Sequence, residues 1–195
     1  MSTEKYLITG GPGAGKTSLL QALKEAGYHC SEEASRQVIA EEVAKGTDCL
    51  PWSNLSCFAG KVLERMTALY TQAAANVGIT FFDRGIPDII AYQQAAGVPV
   101  DNKYYTTFQQ HPYHQLVFIL PPWKHIYVND AERWQTFEEA VHLYTSIRET
   151  YQAFGFTLVT VPEAPVENRM QFILQTIAQQ KAIQKDRLIS PGIKK

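Results

Sequence analysis

With 195 residues, 45% of them hydrophobic and 19% charged, the chain is long enough to bury one full-sized core and short for two independent domains. Its 18 basic and 19 acidic side chains leave a formal charge of -1, which excludes a global positive field for gathering nucleic acid or an anionic membrane, so any anion must be held locally. No apolar run approaches the roughly 18 residues of a membrane span, and the three cysteines, Cys30, Cys49 and Cys57, are an odd set without a Cys-x-x-Cys pair. They are expected to be reduced thiols of a cytoplasmic protein.

In chain order, a β-rich run at Tyr6 to Thr9 is followed by a glycine-rich turn and a helix over Thr17 to Ala26, whose apolar residues Leu19, Leu20 and Leu23 share a face and whose end is marked by Gly27. A weaker strand at Tyr28 to Cys30 leads to a helix opened by Glu32 and Glu33 and continuing through Arg36. After an irregular connection at 46–56, the set Phe58, Val62, Met66, Leu69 and Ala73 steps by three or four and predicts an amphipathic helix over Ser56 to Asn76, with that set in the core. The strand Ile79 to Asp83 precedes a helix over Pro87 to Ala96, and the strand Gln115 to Leu120 precedes a second irregular connection at 121–135. A helix over Thr136 to Phe154, a strand at Thr157 to Val161 and a helix over Pro165 to Gln179 complete the pattern. Strands alternating with helices imply parallel pairing through right-handed crossovers, hence an α/β sandwich of about five strands. Residues 1–180 read as one domain, the connections 46–56 and 121–135 as lid-like covers, and 181–195, with five basic and one acidic side chain, as a solvated tail.

The strongest chemical signal is GGPGAGKT, residues 10–17, which satisfies G-x-x-x-x-G-K-[ST] between a predicted strand and a predicted helix. Glycines at 10, 11, 13 and 15 let the backbone turn its N–H groups toward phosphate oxygens, and the following helix N-terminus favours the same anion. The expected phosphate cradle is therefore Gly10, Gly11, Pro12, Gly13, Ala14, Gly15, Lys16, Thr17 and Ser18. Lys16 is assigned to the β- and γ-phosphates of ATP and the Thr17 hydroxyl to Mg²⁺. Asp83, closing the hydrophobic strand ITFFD, is the expected second Mg²⁺ group, with Arg84 reaching phosphate.

Glu33 is the preferred group for orienting or deprotonating an acceptor hydroxyl, with Asp88 as its rival and Arg36 available to an anionic substituent. Arg133, in the second cover, is the candidate lid cation for the transferred phosphoryl group, preceded by Lys124 and His125. The pair His111 and His114 lacks a third metal ligand and reads as ordinary satisfied histidines. Trp52, Trp123 and Trp134 lie in or beside the covers, where an aromatic ring serves equally to stack on a base or to anchor a loop.

The segments TGGPGAGKTSLL, EEASRQVI, LPW, FFDRGIPD, FILPPW and ERWQTFEEA recur in order along residues 5–161. In these the chain resembles the AAA-type family of small bacterial P-loop proteins described as predicted ATPases, related to the ribosylnicotinamide kinase domain. The resemblance implies a nucleoside/nucleotide kinase-like fold, sheet order 2-3-1-4-5, with ATP and magnesium at residues 10–17. No Asn-Lys-x-Asp motif is present, which disfavours a Ras-like GTPase; no LSGGQ-like signature is present either, and the length leaves little room for the extra helical domain of a ring-forming AAA+ motor. Two functions follow as expectations: a phosphotransferase moving the ATP γ-phosphoryl group to a small nucleoside-like or other hydroxyl acceptor, and a nucleotide-dependent switch acting on a protein partner. A walled compartment between the two covers, facing the γ-phosphate, would separate them in favour of the first.

Overall fold

A computed structural model describes residues 3–127 and 136–189, as backbone only for residues 187–189. Its single described sheet has five parallel strands in the order β2-β3-β1-β4-β5, formed by β1 Glu4–Gly10, β2 His29–Cys30, β3 Ile79–Asp83, β4 Leu116–Leu120 and β5 Thr157–Thr160. The helices are α1 Lys16–Glu25, α2 Ala34–Lys45, α3 Leu55–Gln72, α4 Ile86–Ala95, α5 Asn102–Gln110, α6 Phe137–Ala153 and α7 Val166–Ile189. The strand order and the alternation of strands with helices agree with the α/β expectation.

The central strands are apolar on both faces because both faces are covered, the usual state of a parallel sheet. Tyr6 and Ile8 of β1 pack with Phe118 of β4 against Leu19 and Leu23 of α1 and Ile173 and Ile177 of α7. Leu7, alternating to the other side, packs with Phe82, Val117 and Ile119 against Ala91 of α4 and Ile147 and Tyr151 of α6. Fully burying one such side chain contributes about 1.5–3 kcal/mol, so the two layers fix the strand order and with it the carboxyl edge where β1 and β3 end side by side. A third cluster joins Val38 of α2, Phe58, Val62 and Met66 of α3 and Ile86, Ile89 and Ile90 of α4.

Three expectations are corrected. Cys49 and Cys57 are joined in a disulfide, while Cys30 is free. The turn after Leu50, whose carbonyl accepts from the N–H groups of Ser53 and Asn54, folds the connection back. The Asn54 side chain then caps α3 by accepting from the Cys57 N–H at 3.1 Å, leaving the two Cα atoms 5.2 Å apart, within bridging range. Second, α7 runs on to Ile189, so 181–189 continue a helix rather than begin a tail; the Lys181 ammonium reaches Glu4 at 2.6 Å. Third, α5 has no counterpart in the sequence reading: it is a short polar helix capped by Asp101, with Tyr104 its only buried residue. No described helix is long and apolar enough to cross a membrane.

Candidate functional site

The turn between β1 and α1 leaves the sheet at the edge where β3 also ends, since Ile8 and Asp83 are partners in the parallel register. Gly13 and Gly15 both have φ in the left-handed region, at 71° and 78°. A Cβ on Gly13 would lie 2.5 Å from the Tyr127 ring; one on Gly15 would meet only the movable guanidinium of Arg169 at 2.7 Å, so there it is the left-handed backbone that disfavours a side chain. The N–H groups of Gly13, Ala14 and Gly15 make no hydrogen bond to any described residue. A run of free donors at a helix N-terminus is an anion site in waiting.

Lys16 is buried, and its ammonium donates to the carbonyls of Gly11 at 2.8 Å and Gly10 at 3.1 Å. The Arg84 guanidinium donates to the same Gly10 carbonyl at 2.9 Å. Burial first, and the Arg84 charge second, bring the Lys16 ammonium down to about 8, against the opposing pull of Asp83, Glu33 and Asp88. Arg84 is the only described non-glycine residue with positive φ, 69°, a backbone state costing roughly 1–2 kcal/mol. Its N–H donates to the Ile8 carbonyl at 3.0 Å, extending the β1–β3 ladder past the end of the strand, and its guanidinium lies 5.3 Å from the Tyr92 ring centre. The surroundings hold this strained residue so that the guanidinium points back toward the loop.

Asp83 is buried, and its Oδ1 has no hydrogen-bond partner among the described residues. Burial, then the Glu33 charge, raises its carboxyl to about 6. An orphaned, buried carboxylate oxygen beside a Lys-Thr helix start fits a cation ligand, and Thr17 and Asp83 would supply the protein oxygens.

Asp88, the rival base, is fully engaged. Its carboxylate accepts from Thr9 Oγ1, from Tyr151 Oη at 2.6 Å, from the Gly85 N–H at 2.9 Å and from Arg84 at 3.3 Å. Those four bonds tie β1, the β3–α4 turn and α6 together, which makes it a positioning residue. Glu33 instead sits at the N-cap of α2 without a side-chain capping bond, paired to Arg36 Nε at 2.8 Å.

One cavity of about 650 Å³ gathers Pro12 to Ser18, Glu33, Arg36 and Arg84 along its wall. Pro51 and Leu55 come to it from the first cover and its junction with α3, and Trp123 and Ile126 from the second. Gly10 and Gly11 enter through their carbonyls, as acceptors for the two cations. Arg133, Glu132 and Trp134 lie outside the described residues. Lys124 and His125 form a single 3-10 turn, and Trp52 is exposed. The histidines are satisfied within the fold: His111 Nδ1 lies 2.7 Å from the Thr107 carbonyl, and His114 Nδ1 accepts from the Leu116 N–H at 3.0 Å.

Arg169, on α7, is a site-lining residue that the sequence reading missed. It donates to the Gly15 carbonyl at 3.2 Å and lies 5.6 Å from the Trp123 ring centre, while its buried Nε has no partner among the described residues. No motif surrounds it; only the tertiary packing of α7 on α1 brings it to the loop.

If Asp88 organises this edge, Asp88→Ala should lower unfolding stability by about 3 kcal/mol or more, because it strands Arg84 in a buried position. Equilibrium urea denaturation checks this, and an unchanged midpoint would contradict it.

The AAA domain family matches residues 5–169. No curated protein sequence matches the chain. Among solved structures, deoxyadenosine kinase from M. mycoides with dCMP and dCDP is similar with a TM-score of 0.61 and 18% identity, over 90% of this chain and 99% of that one. Thymidylate kinase from Candida albicans gives 0.63 and 15%, over 92% and 93%. The NadR protein in complex with NAD and AMP-PNP gives 0.64 and 17%, over 88% of this chain and 48% of that one. At such identities these likenesses establish a shared fold.

Proposed function

The chain belongs to the AAA domain family, and from that premise we propose that it is a magnesium-dependent phosphotransferase moving the γ-phosphoryl group of ATP to the hydroxyl of a small acceptor. The observation carrying this reading is the continuous cavity: it joins the free donors of residues 13–15 to a compartment walled by both covers. A switch acting on a protein partner requires the first feature and not the second. The three kinase-like or nucleotide-bound neighbours lend support at the level of fold.

In this mechanism the loop N–H groups and the start of α1 hold the polyphosphate, and Lys16 exchanges its carbonyl partners for β- and γ-phosphate oxygens. Arg84, preorganised by Asp88, presents positive charge where it develops on the transferred group. Glu33 accepts the hydrogen bond of the acceptor hydroxyl, and its Arg36 partner fixes its direction. Arg133, in the second cover, is proposed to complete the cationic surround, and the Trp123–Arg169 pair to face the base. When bound at Thr17 and Asp83, magnesium supplies charge neutralisation on the phosphate oxygens.

Incubating the full chain with ATP, magnesium and a panel of alcohols and nucleosides, followed by ³¹P NMR, should reveal a phosphate monoester. Slow ADP release with every acceptor would reject the transferase reading.

Only the protonated Lys16 attracts phosphate, and bound phosphate raises its proton affinity above that of the free protein. Calorimetric affinity for an ATP analogue should therefore stay level as pH approaches 8, then fall by up to about tenfold per unit above it. An affinity that stays constant through about pH 9.5 would contradict a Lys16 that both titrates near 8 and binds the phosphate.

A further inference from the structure

The walls of the same cavity narrow the acceptor, an inference that rests on the phosphotransfer reading. From α3 the lining residues are Leu55, Phe58, Ala59, Val62 and Met66, a single helical stripe spanning about 16 Å. Ile39 of α2 and Ile89 of α4 extend it. None of these seven side chains carries a hydrogen-bonding group. Charge collects around the loop: Arg84 is bonded to Gly10, and Glu33 lies within electrostatic reach of Lys16, Asp83 and Arg84. Ser35 and Arg36 of α2 and Tyr92 of α4 add polar groups to the lining beside Ile39 and Ile89. α6 brings two polar side chains to the lining, His142 and Glu139, and the Glu139 carboxylate already caps the helix, accepting from the Thr136 N–H at 2.6 Å.

The apolar end is also held in shape. The cover that brings Pro51 to the cavity is closed by the Cys49–Cys57 disulfide. It is latched as well by buried Glu42, whose carboxylate accepts from Thr47 at 2.7 Å and meets Lys61 of α3 at 3.3 Å. A preformed compartment with one continuous apolar wall and charge near the phosphate loop favours a molecule with an apolar body and a single polar head. Each methylene buried there adds about fourfold to affinity, whereas each nucleobase polar group left unpaired against such a wall costs about tenfold.

We propose that the acceptor is an alcohol with an apolar body, an aliphatic chain or hydrocarbon ring lying along the α3 stripe with its hydroxyl at Glu33. In the transfer, the alcohol oxygen forms a bond to the γ-phosphorus as the bond from that phosphorus to the β,γ-bridging oxygen breaks. The electron pair leaves with ADP, and the hydroxyl proton passes to Glu33 and on to water. The products are a phosphate monoester, ADP and one proton.

The test is ligand-observed NMR on the full chain with magnesium and a non-hydrolysable ATP analogue, using the alcohols ethanol to 1-hexanol, 4-phenyl-1-butanol, adenosine and cytidine. Affinity should climb about two- to fourfold per methylene, with 4-phenyl-1-butanol at least tenfold tighter than either nucleoside. Met66→Gln, and Ile39→Asn at a half-buried position that tolerates change better, should flatten the series, with thermal melting confirming that each variant is folded. A flat series in the parent chain, a nucleoside bound tightest, or an unaltered slope in both folded variants would overturn the inference. Calorimetric binding of the analogue is read separately: its absence would strike the phosphotransfer reading, whereas a flat series beside intact analogue binding would strike only the acceptor assignment.

Discussion

Two buried cations converge on one carbonyl, and much of the site follows from that. Lys16 and Arg84 come from different elements, the start of α1 and the turn after β3, yet both donate to the oxygen of Gly10. Like charges at close range in a poorly hydrated place are costly, which is why Lys16 holds its proton less firmly than an exposed lysine. Asp88 and Glu33 offset part of that cost. A polyphosphate would offset the rest and would bring its own match for the N–H groups of residues 13–15, which have no partner among the described residues. The unliganded site is therefore electrostatically prepared for an anion before one arrives.

The parallel sheet makes this arrangement possible. Pairing Ile8 with Asp83 brings the ends of β1 and β3 to the same edge, so a lysine on one crossover and an arginine 68 residues later reach the same carbonyl. Thr9, Gly85, Arg84 and Tyr151 all satisfy the one Asp88 carboxylate, coupling the loop, the β3–α4 turn and α6. Strain at Arg84 persists because that network over-determines it.

Features written in local pattern were legible in the sequence. The five strands, the loop from Gly10 to Thr17, the helix carrying Phe58, Val62 and Met66 and the sheet order implied by the family resemblance all reappear in the structure. Features created by tertiary packing were not. Arg169 lies 154 positions from Gly15 and is one charge on an ordinary helical face until α7 packs on α1. The disulfide needed the backward turn at Leu50 and the Asn54 cap to bring its cysteines together, neither of which cysteine spacing reveals. In the sequence Asp88 reads as a rival to Glu33 for the base, and only its four donors disclose a structural duty. The apolar stripe of α3 is legible in the sequence, but periodicity does not say that one side of it also walls a cavity.

The central claim is that the main-chain donors of the β1–α1 turn grip a polyphosphate. Amide hydrogen exchange followed by ¹⁵N NMR, with inorganic triphosphate and magnesium added to the full chain, addresses it without reference to base or acceptor. The account predicts large shifts and slowed exchange at Gly13, Ala14 and Gly15, with smaller changes elsewhere on the carboxyl edge. Amides at those three positions that exchange at the same rate with and without saturating triphosphate would contradict it.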